Sequence, residues 1–140
     1  GNLGTIIRAG EGAGITGVVM SSDTADIYNP KVIRSTMGAV FRVPFVYVED
    51  LKAALLQLKD HGVHLYAAHL KGQNSYDQED YTESTGFLIG NEAQGLSDEI
   101  ASLADTYVKI PMAGSVESLN AAIASSVLMF EVARQRRNQK

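Results

Sequence analysis

The side chains with most chemistry to offer lie in two short stretches. In Ile110-Pro111-Met112-Ala113-Gly114-Ser115-Val116-Glu117-Ser118-Leu119-Asn120, a hydroxyl and a side-chain amide, Ser118 and Asn120, stand at the mouth of an apolar helix. Free backbone N–H groups gather there, next to the carboxyl end of a strand, where open α/β sheets bind ligands. In Gly90-Asn91-Glu92-Ala93-Gln94-Gly95-Leu96 one carboxylate stands between two glycines that bare the backbone. Glu92 could hold a ribose hydroxyl, a cationic ligand or neighbouring amides. No Lys-Ser/Thr follows Gly95, so the loop is not a P-loop and a phosphate site is not expected. Simpler readings stand beside these: Ser115 or Ser118 as a helix cap, and Gly90 to Leu96 as a structural turn.

Outside those stretches the signals are weaker. Arg8, off the Leu3-Ile7 stripe of an opening helix, could bind phosphate or simply be an exposed arginine. His61, His64 and His69 lack the carboxylate pattern of a metal site, and no metal is expected. Ser118 has no His and Asp partners in order, which gives a hydrolase triad little support. Gly10, Gly12 and Gly14 follow a helix rather than a strand, so they read as its termination and not as a dinucleotide fingerprint.

These groups need a scaffold of alternating strands and helices. Tyr107 to Ile110 reads as a strand stopped by Pro111, with Gly114 allowing a tight turn. Leu119, Ile123, Val127 and Phe130 recur at helical spacing, which predicts one buried stripe from about Leu119 to Arg134. Further strands are expected at Thr16 to Met20, Phe45 to Val48, Val63 to Ala68 and Gly86 to Gly90. Helices are expected from Asn2, from the Asn29-Pro30 start to about Met37, from the Asp50 cap to His61-Gly62 with Leu51, Leu55 and Leu58 buried, and from the Ser97 cap. Lys71 to Ser84 reads as a polar surface loop. Five strands with helical crossovers imply one open, mostly parallel α/β sheet with helices on both faces. A helix at the second residue with no strand before it breaks the alternation, so a leading strand is expected to be missing.

The bulk numbers bound the function. At 140 residues, 45% apolar and 20% charged, the chain suits one domain with a real core. It has no cysteine, no apolar run of membrane-spanning length and no signal-peptide pattern, so the cytoplasm is the default expectation. A net charge of −4 argues against a surface that grips nucleic acid everywhere. Any grip must be local, as at Lys31, Arg34 and Arg42. The basic tail Arg134, Arg136, Arg137, Lys140 and the acidic run Asp77, Glu79, Asp80, Glu83 read more simply as solvated charge.

Three blocks in this order, Asn2-Leu3-Gly4-x-x-Ile7-Arg8, Gly90-Asn91-Glu92-x-x-Gly95-Leu96-Ser97 and Ile110-Pro111-Met112-x-Gly114-x-x-x-Ser118-Leu119-Asn120, resemble the three motifs of the SpoU (TrmH-type) RNA ribose methyltransferases of the SPOUT class. The resemblance covers essentially the whole chain. It implies methyl transfer from S-adenosyl-L-methionine to a ribose 2′-hydroxyl of RNA, ribosomal RNA rather than tRNA. It also implies a homodimer whose C-terminal segment is tucked through a loop as a trefoil knot. By the resemblance Asn2, Arg8, Glu92, Ser118 and Asn120 match catalytic and near-catalytic positions, and Ala68, Gly90, Ile110 and Leu119 would lie against the cofactor. Residues 1–140 would then form a single catalytic domain without its first strand and without a separate N-terminal RNA-binding domain. The alternatives are a module of the same fold that binds RNA or dimerises without turnover, and a methyltransferase of tRNA rather than ribosomal RNA.

Overall fold

A computed structural model describes residues 2–91, 94–116 and 118–139. Helix α1 (Asn2–Ala13) opens the chain and buries Gly4, Ile7 and Gly10. It runs through Gly10 and Gly12, further than the glycines led one to expect. Only Gly14, at φ +87°, turns the chain out of it, because that left-handed conformation suits a residue without Cβ. Strand β1 (Val18–Ser21) follows, then α2 (Pro30–Ser35), whose cap Asn29 accepts a bond from the Lys31 N–H at 2.9 Å. After one 3-10 turn (Ala39–Phe41) come β2 (Phe45–Val48) and α3 (Leu51–Asp60), capped by Asp50 through the Ala53 N–H.

The second half holds β3 (His64–Ala68), a two-residue β4 (Asn74–Ser75), β5 (Thr85–Leu88), the short α4 (Asp98–Ala101), β6 (Thr106–Lys109) and α5 (Ala121–Arg137). All ladders are parallel, as expected of strands joined by helical crossovers. They do not join into one continuous sheet, however. Among the described residues β1 pairs only with β2, while the others form a separate four-stranded ladder in the order β4-β6-β3-β5.

The core divides likewise. Ile7, Met20, Ile27, Val32, Val40 and Val43 pack α1, α2 and the 3-10 turn against β1. In the second half, side chains of β3 alternate between two clusters, as the period of a strand requires. Leu65 and Ala67 meet Leu55 of α3 and Ile100 of α4. Tyr66 meets Tyr81, Val108 and Leu128 of α5 on the other face. Helices thus cover both faces of the larger ladder.

Three expectations fail here for reasons of tertiary context. Lys71 to Ser84 is no mere surface loop: Tyr81 is fully buried, edge-on to Tyr66 at 5.0 Å and to Phe87 at 5.5 Å. The buried face of α5 is Ala122, Ser125, Leu128 and Met129, whereas Ile123 and Phe130 are 54% and 46% exposed. Small Ala122 and Ser125 let α5 sit close to its neighbours. Apolar type alone pointed to the wrong stripe. Nor are the two charge runs merely solvated: on α5, Gln135 bonds the Tyr81 N–H and Glu79 carbonyl, and Arg136 donates to the carbonyls of Tyr81 and Glu83.

Candidate active site

Parallel strands deliver their carboxyl ends to one edge, and that edge collects most of the expected binding residues. Register places Ala67 beside Leu88 and Ala68 beside Val108, so β3 ends between the Gly90 loop that follows β5 and Ile110 that follows β6. The two loops flank β3, roughly 10 Å apart at the usual strand spacing, with Ala68 on the central strand between them.

The Gly90 loop is built from backbone. A Cβ on Gly90 would come within 2.2 Å of Gly95 C and Leu96 N, so the two limbs of the loop touch as no other residue would permit. Asn91 and Gly95 form a bridge, with the Gly95 N–H on the Asn91 carbonyl at 3.0 Å and the Gln94 N–H on Asn91 Oδ1 at 2.6 Å. Ser97 then caps α4 through the Ile100 N–H. Glu92 lies outside the described residues.

The second loop leaves β6 at Ile110, which packs under the Tyr66 cluster. Pro111 and residues 113–116 are exposed, as is Ser118, whose hydroxyl meets no described partner. Ser115 and Ser118 do not cap the last helix. Asn120 does, with Oδ1 accepting from Ala122 N–H at 2.8 Å and Ile123 N–H at 3.3 Å. That use fixes the amide and leaves its NH2 donors for a ligand. Leu119, half-buried, precedes it.

Residues that sequence reasoning passed over frame the central strand end. His69 stacks on Tyr107 at 4.8 Å and its N–H bonds the Val108 carbonyl, while Gly72 lies against the Val108–Lys109 backbone. Glycine soon after a strand was the available signal. At the other end of β3, burial pushes the Asp105 carboxyl up, but the Leu65 N–H at 2.8 Å and Lys59 at 3.3 Å outweigh it and hold the pKa below its ordinary value.

Arg8 stands apart from these loops. Its helical neighbours place it: Gly4, one turn before, faces Ser35 of α2, and Glu11, one turn after, pairs with Arg42. Arg8 therefore projects, exposed, along the α1 row beside α2 and the 3-10 turn, and makes no ion pair with a described residue. The hydrogen bond from Arg42 holds the Glu11 pKa down. Among the basic residues noted at positions 31–42, Lys31 and Arg34 are exposed and make no ion pair with a described acidic residue. Asn2 lines the same broad cleft as Gly90, Asn91 and Gln94; Arg8 does not. No described group of three His, Asp or Glu side chains could hold a metal ion.

The SpoU rRNA Methylase family profile matches residues 1–130. The chain belongs to that family. This SpoU chain is 35% identical over 132 residues to the 23S rRNA (guanosine(2553)-2'-O)-methyltransferase RlmP of Bacillus subtilis, covering 94% of the chain and 53% of that relative. It is 38% identical to the 23S rRNA (uridine(2479)-2'-O)-methyltransferase of Streptomyces viridochromogenes, covering 97% of the chain and 49% of the relative. Its fold superposes on the SpoU methyltransferase AviRb from Streptomyces viridochromogenes, in complex with AdoMet, with a TM-score of 0.88 at 36% identity, covering 99% of the chain and 56% of that structure. The chain thus spans about half the length of the curated SpoU relatives it matches.

Proposed function

We propose that this chain carries the methyl-transfer site of an S-adenosyl-L-methionine-dependent RNA ribose 2′-O-methyltransferase acting on ribosomal RNA. The observation that carries the reading is the meeting of three strand ends, Ala68, Gly90 and Ile110, within a family whose relatives are named for that reaction. The residues present fit the cofactor: bare backbone at Gly90 and Gly95, a small exposed side chain at Ala68, and no described metal cluster or buried charge competing for the edge. Ala68, Gly90, Ile110 and Leu119 would hold it. Bound there, S-adenosyl-L-methionine supplies a sulfonium-activated methyl group.

The chain's own task is alignment of the ribose 2′-oxygen and stabilisation of the charge that forms on it. A guanidinium stays protonated at ordinary pH, so Arg8 serves poorly as a general base. Arg8 instead holds the phosphate next to the target ribose and stabilises the developing alkoxide, while a phosphate oxygen or water takes the 2′-hydroxyl proton. Ser118 and the free NH2 of Asn120 orient ribose or cofactor. Lys31 and Arg34 give the local grip that an overall charge of −4 denies the rest of the surface.

Arg8 stands away from the strand-end loops, and Ile123 and Phe130 present an apolar face on α5. Both features favour a homodimer in which α5 lies at the contact. The C-terminal segment forms the trefoil knot of the SPOUT class, and the enzyme works in the cytoplasm. No helix among the described residues is long and apolar enough to cross a membrane.

The test is transfer of radiolabelled methyl from S-adenosyl-L-methionine to transcripts of ribosomal RNA and tRNA, followed by mapping of the modified ribose. Label on a 2′-oxygen of ribosomal RNA is expected. Cofactor binding with no transfer to either RNA would make the chain a non-catalytic module, and transfer to tRNA alone would change the substrate.

A further inference from the structure

The end of β3 carries a second group of polar side chains beside the two loops. Tyr66, Ala67 and Ala68 pair with Thr106, Tyr107 and Val108, and the His69 N–H on the Val108 carbonyl carries that register one step further, so Lys109 stands across from His69. Side chains two apart on a strand share a face. His69 therefore continues the face of Leu65 and Ala67, and Lys109 that of Tyr107. Leu96, on the closing limb of the Gly90 loop, packs on the same face.

The His69 ring is held in one orientation and one tautomer. It stacks on Tyr107 at 4.8 Å, with the two planes 14° apart. Its Nδ1 accepts the Lys71 N–H at 3.0 Å, so the proton of the neutral ring sits on Nε2 and makes that atom a donor. Across from it, Lys109 is exposed and makes no ion pair with a described acidic residue. A fixed N–H donor beside an ammonium group suits a carboxylate.

We propose that His69 and Lys109 bind the carboxylate of the methyl donor's amino-acid arm, a role that rests on the methyl-transfer reading of the site. Both adjoin residues proposed for the cofactor: His69 follows Ala68, and Lys109 precedes Ile110. S-adenosyl-L-methionine has one anionic group, that carboxylate, since its adenine is neutral and its sulfonium and ammonium are cations. The carboxylate accepts the Nε2–H in a charge-assisted bond and pairs with Lys109. Anchoring the arm there restrains rotation about the sulfonium and so the direction in which the methyl points. An RNA phosphate has the same sign of charge, but the residues proposed for RNA stand on α1 and α2 and not at this strand end.

Calorimetric titration tests this by comparing S-adenosyl-L-methionine with its decarboxylated form, which differs by the carboxylate alone. The parent chain is expected to bind S-adenosyl-L-methionine at least about tenfold more tightly, the scale of one charge-assisted hydrogen bond. Lys109→Met and His69→Asn should each reduce that preference at least about threefold, and the combined variant should remove it, with affinity for the decarboxylated form kept within about twofold. Asn at position 69 retains an acceptor for the Lys71 N–H, as in an Asx turn, while the Nε2–H is lost. Should His69→Asn not fold, Lys109→Met, at an exposed position, carries the test by itself. Equal affinity of the parent chain for the two ligands, or variants that weaken both ligands alike, would overturn the proposal and leave the methyl-transfer reading standing. An intact preference in variants that bind RNA more weakly would also overturn it and assign the pair to phosphate. Binding of neither ligand by the parent chain would overturn the reading and the proposal together.

Discussion

The strands of the two ladders are similar in composition and unequal in burial. Leu65 and Ala67 of β3 are 1% and 0% exposed, whereas Val19 of β1 and Val46 of β2 are 39% and 50% exposed. The difference lies in cover rather than in residue type. β3 has α3 and α4 on one face and α5 with Tyr81 on the other. The outer face of β1 and β2 looks across a cavity of about 310 Å3 toward Ala54, Leu58 and His61 around α3. The proposed function divides along the same line: the well-packed half carries the strand-end loops proposed for the cofactor, and the less covered half carries Arg8, Lys31 and Arg34, proposed for the RNA. A site that must hold a methyl donor in fixed geometry gains from the rigid ladder, and an RNA grip tolerates the looser one.

Substitutions in each half should therefore fail in different ways. Tyr81→Ala removes a fully buried ring at the centre of the well-packed half and should cost about 3–5 kcal/mol, read as a lowered urea midpoint. A loss below about 1 kcal/mol would mean the two halves are packed alike. Arg8→Ala should lower methyl transfer by about 100-fold to 1,000-fold, on the scale of removing one oxyanion donor, with cofactor affinity and stability unchanged. Parallel loss of cofactor affinity would make Arg8 structural and erase the division of labour.

Smaller effects sharpen the same contrast. Asp105→Ala removes the carboxylate that receives the Leu65 N–H and should cost about 1 kcal/mol or less, since the group stays near solvent. Because its folded pKa lies below the ordinary 3.8, this contribution is complete above pH 3.8 and is lost as pH falls from there through the lower folded value. Urea midpoints of the parent and Asp105→Ala chains should converge in that acid range; a constant gap would remove the carboxylate from the account. Ile123→Ser on the exposed face of α5 should leave monomer stability within about 0.5 kcal/mol and weaken the proposed dimer in sedimentation. An unchanged dimer would move the contact elsewhere.

What could be read in the sequence was what is local. Asn29, Asp50 and Ser97 cap the helices expected of them, because an Asx or Ser side chain satisfies N–H groups two or three residues away. β2 occupies its expected bounds, and β3, β5 and β6 lie within two residues of theirs. Most of the failures are long-range, although α1 also runs on through Gly10 and Gly12. Tyr81 sits in a polar run and is buried by Phe87 and Tyr66, which no local pattern encodes. The face of α5 was misjudged because Ala122 and Ser125 are buried for their smallness, beside Ile123 left exposed. Asn120 was read as a ligand-facing amide and also caps the helix. The three motif blocks were legible as a family; that Arg8 stands off from the two loops depends on how α1 packs on α2, which the blocks do not specify.

The central claim, that bare backbone at the ends of β3, β5 and β6 holds the methyl donor, is tested most directly by calorimetric titration of S-adenosyl-L-methionine into the parent chain and Gly90→Val. A Cβ at position 90 would lie 2.2 Å from the opposite limb of its loop and must displace it. Saturable binding by the parent chain, weakened at least tenfold in a folded Gly90→Val, is the expected result. Equal binding by both chains would contradict the account.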